Sequence, residues 1–247
     1  VDVDYEYPTS MKDAGNPNDF PLSNQCRAKL FANYEVLMKT LRSKLDSAGT
    51  EDGRKYMLTI ASPASAYLLR GMENFQVTQY LDYVNLMTYD FHGAWNHFVG
   101  HNAALFDNKA DPELAQWGVY NQAQFGAIGY LNSAWAAHYF RGALAAGKIN
   151  IGVPYYTRGW QGVTGGTHGL GGKAALPSQS ACQPGTGGST VPCGNGAVGI
   201  DNIWHDLDKN GKEIGGGAVP MWHAKNLEHA ASLGITTLPS YGQAWGL

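Results

Sequence analysis

From Val1 to Tyr7 apolar and acidic residues alternate without a break: Val1, Val3 and Tyr5 fall on one side, Asp2, Asp4 and Glu6 on the other. A period of two predicts a β-strand over residues 1–7, and Pro8 ends it because it has no N–H to continue a ladder. A polar stretch to Asn24 follows. Residues 26–45 then switch to helical spacing, with Leu30, Tyr34, Leu37, Met38 and Leu41 forming an apolar stripe and Gly49 and Gly53 punctuating its end. A second strand is predicted over 56–61, stopped by Pro63, and a short helix over 75–81. A third strand is expected over 83–89, a long helix over 132–146 ending at Gly147, and a fourth strand over 149–156. Nearly continuous apolar strands separated by helices predict βα units and a parallel sheet buried on both faces.

After Trp160 the texture changes. Residues 162–199 are rich in glycine and turn formers, and 204–214 read as a hairpin around Asn210-Gly211. The chain therefore divides into an α/β portion, 1–160, and a Gly-rich α+β region, 161–247. Cys182 and Cys193 bracket a loop that a disulfide could close, with two free thiols as the open alternative. Cys26, in the helical pattern, is expected to be a small buried hydrophobe.

The composition suits a packed core: 44% of the 247 residues are hydrophobic, 15% charged and 12% aromatic. A net charge of −3 offers no basic field for nucleic acid or anionic lipid. No apolar run approaches the roughly 20 residues a spanning helix needs, so no membrane partner is expected.

Candidate chemistry concentrates on the first strand. Residues i and i+2 of a strand lie about 6.5–7 Å apart, so Asp2, Asp4 and Glu6 on one face repel once water is excluded. Such repulsion would keep one carboxyl protonated near neutral pH, able to protonate a leaving group. Glu6 is last on the strand and has the longest reach. The plainer alternatives are a solvated acidic edge strand and a divalent-cation site. His92, His97 and His101 follow the third strand, but no Glu completes an H-E-x-x-H pattern, so no zinc is expected. The sequence Asp206-Leu207-Asp208-Lys209-Asn210-Gly211 opens like a calcium loop, yet position 12 would be Gly217, which favours the hairpin.

The octapeptide Val1-Asp2-Val3-Asp4-Tyr5-Glu6-Tyr7-Pro8 resembles the D-x-x-D-x-D-x-E signature of barrel strand 4 in family 18 chitinases, less its first Asp. Leu58-Thr59-Ile60-Ala61 fits strand 5 of that family, and Val84-Asn85-Leu86-Met87-Thr88-Tyr89-Asp90 looks like its M-x-Y-D strand 6. The run from Gly152 to Trp160 is similar to its strand 7, with Thr157 where Gly is usual in Y-G-R. The order and spacing of the four motifs carry the resemblance, which is closest to bacterial chitinases with an insertion between strands 7 and 8.

The resemblance implies a (β/α)8 TIM barrel, of which this chain supplies about strands 4 to 7 plus an α+β insertion. Strands 1–3 would precede Val1, and no strand-8 W-E motif stands before Leu247, so the chain alone is expected to be inactive and poorly folded. The resemblance further implies endo-acting, retaining hydrolysis of chitin assisted by the substrate's own acetamido group, with no cofactor and no metal. Glu6 would be the general acid, Asp4 the partner of the acetamido N–H, Asp2 the residue beneath it, and Tyr89 the donor to the acetamido oxygen. Met87, Asp90, Trp95, Tyr156 and Arg158 would contact the sugar. The implied partner is chitin or a chito-oligosaccharide, the implied protein a secreted monomer. A sugar-binding protein of the same fold, an endo-β-N-acetylglucosaminidase acting on N-glycans, and an inactive truncated product are the rival readings.

Overall fold

A computed structural model of the chain describes residues 1–12, 14, 20–70, 72, 75–93, 95–161, 163–173, 196–197 and 221. Four parallel strands lie side by side in the order β1 (Asp2–Val3), β2 (Thr59–Pro63), β3 (Tyr83–Met87) and β4 (Ile149–Ile151). Parallel neighbours need crossovers, and helices provide them. Between β1 and β2 runs α1 (Phe20–Asp52), between β2 and β3 run α2 (Ala66–Leu69) and α3 (Phe75–Thr78), and between β3 and β4 lie α4 (Pro112–Gln116) and α5 (Ser133–Arg141). This is the strand–helix succession of consecutive barrel staves.

Alternation along the strands sorts the two faces. Ile60 and Ser62 of β2, with Val84 and Leu86 of β3, are buried. Met38 of α1, Leu69 of α2, Val77 of α3, and Ala136 and Phe140 of α5 are likewise buried. Each large aliphatic or aromatic member of this core is worth about 1.5–3 kcal/mol relative to exposure. Thr59, Ala61, Asn85 and Met87 alternate with the buried strand residues and are only partly covered.

Asp82 locks the strand starts together. Its carboxylate accepts from the Leu58 N–H at 2.9 Å and pairs with Arg42 of α1 at 3.1 Å and Lys55 at 2.5 Å, while its own N–H donates to the Leu58 carbonyl at 2.8 Å. Burial alone would raise the Asp82 carboxyl, but the Lys55 hydrogen bond, the Leu58 N–H and the two cations hold it below the usual carboxylate range.

Several expected boundaries shift. The first strand is two residues, not seven, because β2 pairs only with Asp2 and Val3, and alternation beyond them has no ladder to join among the described residues. The long helix covers 20–52 rather than 26–45, since polar helix formers extend it past the apolar stripe and through Gly49, until Gly53 takes φ +65°. Cys26 is exposed on it, not buried. The second strand is shifted towards its C-terminus, so that Pro63 is its last residue rather than the stop beyond it. The third strand ends at Met87, and the short helix at Thr78. The later long helix spans 133–141, capped by the Asn132 side chain on the Trp135 N–H at 2.8 Å and closed at Gly142 rather than Gly147.

The fourth strand stops at Ile151. Val153 and Tyr155 beyond it are 62% and 75% exposed, so burial on both faces does not hold there. In the later region, β5 (Trp160–Gln161) pairs antiparallel with β6 (Gly196–Ala197). The expected hairpin at 204–214 and the Cys182–Cys193 question lie outside the described residues.

The chain forms two compact units: one of residues 1–88 and 130–153, which holds the parallel sheet, and one of residues 89–129 and 154–247. Among the described residues no helix is long and apolar enough to cross a membrane.

Candidate active site

In the sheet unit, Asp2 is the acid on regular strand. Its Oδ1 accepts from the Thr59 hydroxyl, its register partner on β2, and from Asn85 Nδ2 of β3 at 3.2 Å. Asn85 Oδ1 in turn accepts from Asn150 Nδ2 of β4 at 2.8 Å. A polar ladder therefore crosses all four strands on the open face. Asp4 follows the strand, and Glu6 sits in a bend. All three carboxylates are exposed, so the exclusion of water on which their mutual repulsion depends is not met among the described residues.

The Tyr34 hydroxyl of α1, by contrast, is buried; burial first, then the charges of Asp2 and Asp4, keep it protonated far above the usual phenol range. The Tyr34 ring lies 6.3 Å from that of Tyr5. Met87 is the last residue of β3, two positions beyond Asn85 on the same face and half-covered.

The chain just after Glu6 is held firmly. Pro8 and Thr9 are buried, and the Thr9 N–H donates to the Tyr7 carbonyl at 2.8 Å. The Arg27 guanidinium reaches the carbonyls of Tyr7 and Thr9, each at 3.3 Å, and that of Ala14 at 2.7 Å.

In the second unit the predicted residues converge on Asp90. Its Oδ1 accepts from the Tyr156 hydroxyl at 2.8 Å and Arg158 Nε at 2.8 Å, and lies 2.7 Å from Arg158 Nη2. The Arg158 side chain is only 6% exposed, which excludes the solvated strand-end charge. Burial and then the Asp90 charge push the Tyr156 phenol well above its ordinary range, so it is a donor at any ordinary pH. The Arg158 guanidinium packs 5.2 Å from the Tyr156 ring centre and 5.7 Å from that of Trp95, and the Tyr89 and Tyr156 rings meet edge to face at 6.2 Å. Trp95 keeps 38% of its surface open. A Cβ at Gly93 would stand 2.6 Å from its indole, so glycine there lets the ring lie on the backbone.

Two supports escaped the sequence. Asn102 Oδ1 accepts from the Asp90 N–H at 2.9 Å, the Asn102 carbonyl accepts from Phe91 N–H at 3.1 Å, and Asn102 Nδ2 donates to the Tyr156 carbonyl at 3.1 Å. This clasp holds Asp90 at φ +57°, a left-handed conformation unusual for a residue with a side chain. Second, buried His92 sits between the His101 carbonyl at 3.0 Å and the Asp111 carboxylate at 3.0 Å. Burial would raise the Asp111 carboxyl, but the His92 hydrogen bond and charge and the N–H groups of α4 lower it. The three histidines thus include a loop clasp, and among the described residues no group of three His, Cys, Asp or Glu could hold a metal.

Residues 1–213 match the profile of the family "Glycosyl hydrolases family 18". Chitinase A1 of Niallia circulans is 37% identical over 195 residues, covering 77% of this chain and 24% of its own length. A family GH18 chitinase structure from Chromobacterium violaceum is 54% identical with a TM-score of 0.80, over 100% of this chain and 34% of that one. A glycoside hydrolase family 18 N-acetylglucosaminidase from Paenibacillus barengoltzii is 30% identical with a TM-score of 0.54, over 70% of this chain and 44% of that one. The chain spans about a quarter of the length of the first curated relatives it matches.

Proposed function

The chain belongs to family 18 of the glycosyl hydrolases, a (β/α)8-barrel family of which it supplies consecutive staves, and on that premise we propose that it carries the general acid of a retaining chitinase. The observation that supports this reading most is the acidic run that starts on the first strand of the sheet at Asp2 and ends at Glu6, just before a braced turn. Family 18 chemistry is substrate-assisted, so a single protein acid suffices.

Glu6 protonates the glycosidic oxygen as the bond to the anomeric carbon breaks. The carbonyl oxygen of the substrate's 2-acetamido group attacks that carbon, giving a bicyclic oxazolinium ion. Glu6, now a carboxylate, takes a proton from the incoming water, and configuration is retained. Asp4 accepts from the acetamido N–H and offsets its developing positive charge. Asp2, tied to Thr59 and Asn85, supports Asp4 from below. Tyr89 donates to the acetamido oxygen, Met87 packs against the acetamido methyl, and Asp90, Tyr156 and Arg158 hydrogen-bond the sugar. The open indole of Trp95 offers a face to the apolar side of a pyranose.

The substrate is a β-1,4-linked N-acetylglucosamine polymer, cut internally. An insoluble polymer of that size is met outside the cell, which favours a secreted monomer. Exo-action releasing single N-acetylglucosamine units is the second reading, favoured by the likeness to the N-acetylglucosaminidase. Digestion of a chitin hexamer by the full-length protein separates them: early dimers to tetramers are expected, early monomer with pentamer would favour the second reading, and no cleavage would overturn both.

A further inference from the structure

Arg27 is 7% exposed near the N-terminal end of polar helix α1, and every donor of its guanidinium is engaged. Nε donates to Asn24 Oδ1 at 3.1 Å. Nη1 donates to the carbonyls of Tyr7 and Thr9 at 3.3 Å, and Nη2 to the Ala14 carbonyl at 2.7 Å and to Ser23 Oγ at 3.1 Å. The two acceptors on α1 stand three and four residues before Arg27, so the helix itself aims the fork. The other three acceptors are main-chain oxygens of the segment that leaves Glu6.

Burying a guanidinium is costly unless its hydrogen bonds are met, and here five donors meet five oxygens. An arrangement so complete fixes both partners. Tyr7, whose carbonyl takes both Arg27 and the Thr9 N–H, directly follows Glu6. Thr9 is wholly buried, and its hydroxyl accepts from the Met11 N–H at 3.1 Å. Only one residue separates the strand-flanking Asp4 from Glu6, so the direction of the Glu6 side chain depends on where the chain goes next.

We propose that Arg27 is a positioning residue for the acid: its guanidinium fixes the turn that aims the Glu6 carboxyl at the glycosidic oxygen. This rests on Glu6 being the acid. Lysine cannot replace it, because an ammonium is a point with three donors and not a planar fork with five. A displacement of about 1 Å in a reacting group costs up to about 10²-fold in rate.

The test uses the full-length protein on a soluble chito-oligosaccharide, with kcat and KM followed across pH. Arg27→Met and Arg27→Lys should lower kcat by about 10- to 100-fold, keep KM within about twofold, and displace the basic limb of the kcat profile, which reports the acid in the loaded enzyme. Arg42→Met, on the same helix but paired with Asp82, should lower thermal stability and leave the shape of the profile unchanged. A smaller folded fraction scales the basic limb without displacing it, since the stability linked to His101 is lost only on acidification, so a basic limb from either Arg27 variant superposable on the wild type after scaling would overturn the proposal. Asn24→Ala removes the Nε acceptor while leaving the other four acceptors of the fork, and should move the same limb by a smaller amount; an unmoved limb there counts equally against it, whether or not the Arg27 variants fold. Glu6→Gln measured in parallel separates the two claims: an active variant overturns the acid assignment and the role of Arg27 with it, whereas an inactive one beside unshifted Arg27 and Asn24 profiles overturns the role of Arg27 alone.

Discussion

The two units build functional groups in opposite ways. In the sheet unit the acids follow one another along two residues of strand and a bend, and their side chains stand in water. In the second unit Asp90, Tyr156, Arg158 and Trp95 come from segments some 60 residues apart and are packed into one another. Exposed acids can meet a substrate, and ion pairs at such positions contribute little to folding. On the proposed reading the packed cluster makes folding and sugar recognition depend on the same contacts. Removing a group from the first should therefore cost activity alone, and removing one from the second should cost both.

The largest expected effect is that of Glu6→Gln. It should lower hydrolysis by at least about 10²–10⁴-fold, the range for a lost general acid, while the unfolding midpoint stays at the wild-type value. A large loss of stability would break the contrast. Next comes Asp90→Ala, which leaves Arg158 buried without its carboxylate and Tyr156 without its acceptor. A cost of about 2–4 kcal/mol in urea unfolding is expected, together with weaker oligosaccharide binding; wild-type stability would show that the hub carries nothing.

In the sheet unit the counterpart of that hub is structural. Asp82→Asn keeps an oxygen for the Leu58 N–H but loses its ion pairs, in one of which the Lys55 partner is largely exposed. A loss of about 1 kcal/mol with unchanged turnover is expected, and a change in KM would contradict it.

The smallest effect concerns pH. Burial, and then the charge of His92, lower His101 below the usual imidazole range, with Asp111 opposing. The unfolded chain therefore takes up this proton first as pH falls through about 6.5, so stability is lost on acidification between that value and the lower folded one. Hydrogen exchange, corrected for its intrinsic pH dependence, should speed up at Asn102 between about pH 7 and 5.5 and not at Ile60 or Val84. His101→Gln should abolish the difference; acceleration at both places would remove it as a distinguishing mark.

Legibility in the sequence follows the same division. The strands carrying Ile60, Val84 and Leu86 are legible as apolar runs, which predict burial on both faces rather than the alternating burial observed, and Asp90, Tyr156 and Arg158 are legible because motif order brings them together before any contact is known. Strand ends were not. Alternation through Tyr5, and the apolar run through Tyr156, continue past the residues that pair in the four-stranded sheet, and pairing is a property of the partner as well as of the sequence. Arg27 and Asn102 were invisible for another reason. An arginine on a polar helix and an asparagine in a loop read as solvated until the main-chain carbonyls they gather are known.

The central claim, that the substrate's acetamido group does the nucleophilic work and Glu6 moves the protons, is tested most directly by proton NMR of the first product released by the full-length protein from a chito-oligosaccharide. The β-anomer should appear first and mutarotate afterwards, and an oligomer without the N-acetyl group at the cleaved unit should remain intact. An initial α-anomer, or prompt cleavage of the deacetylated oligomer, would contradict the account.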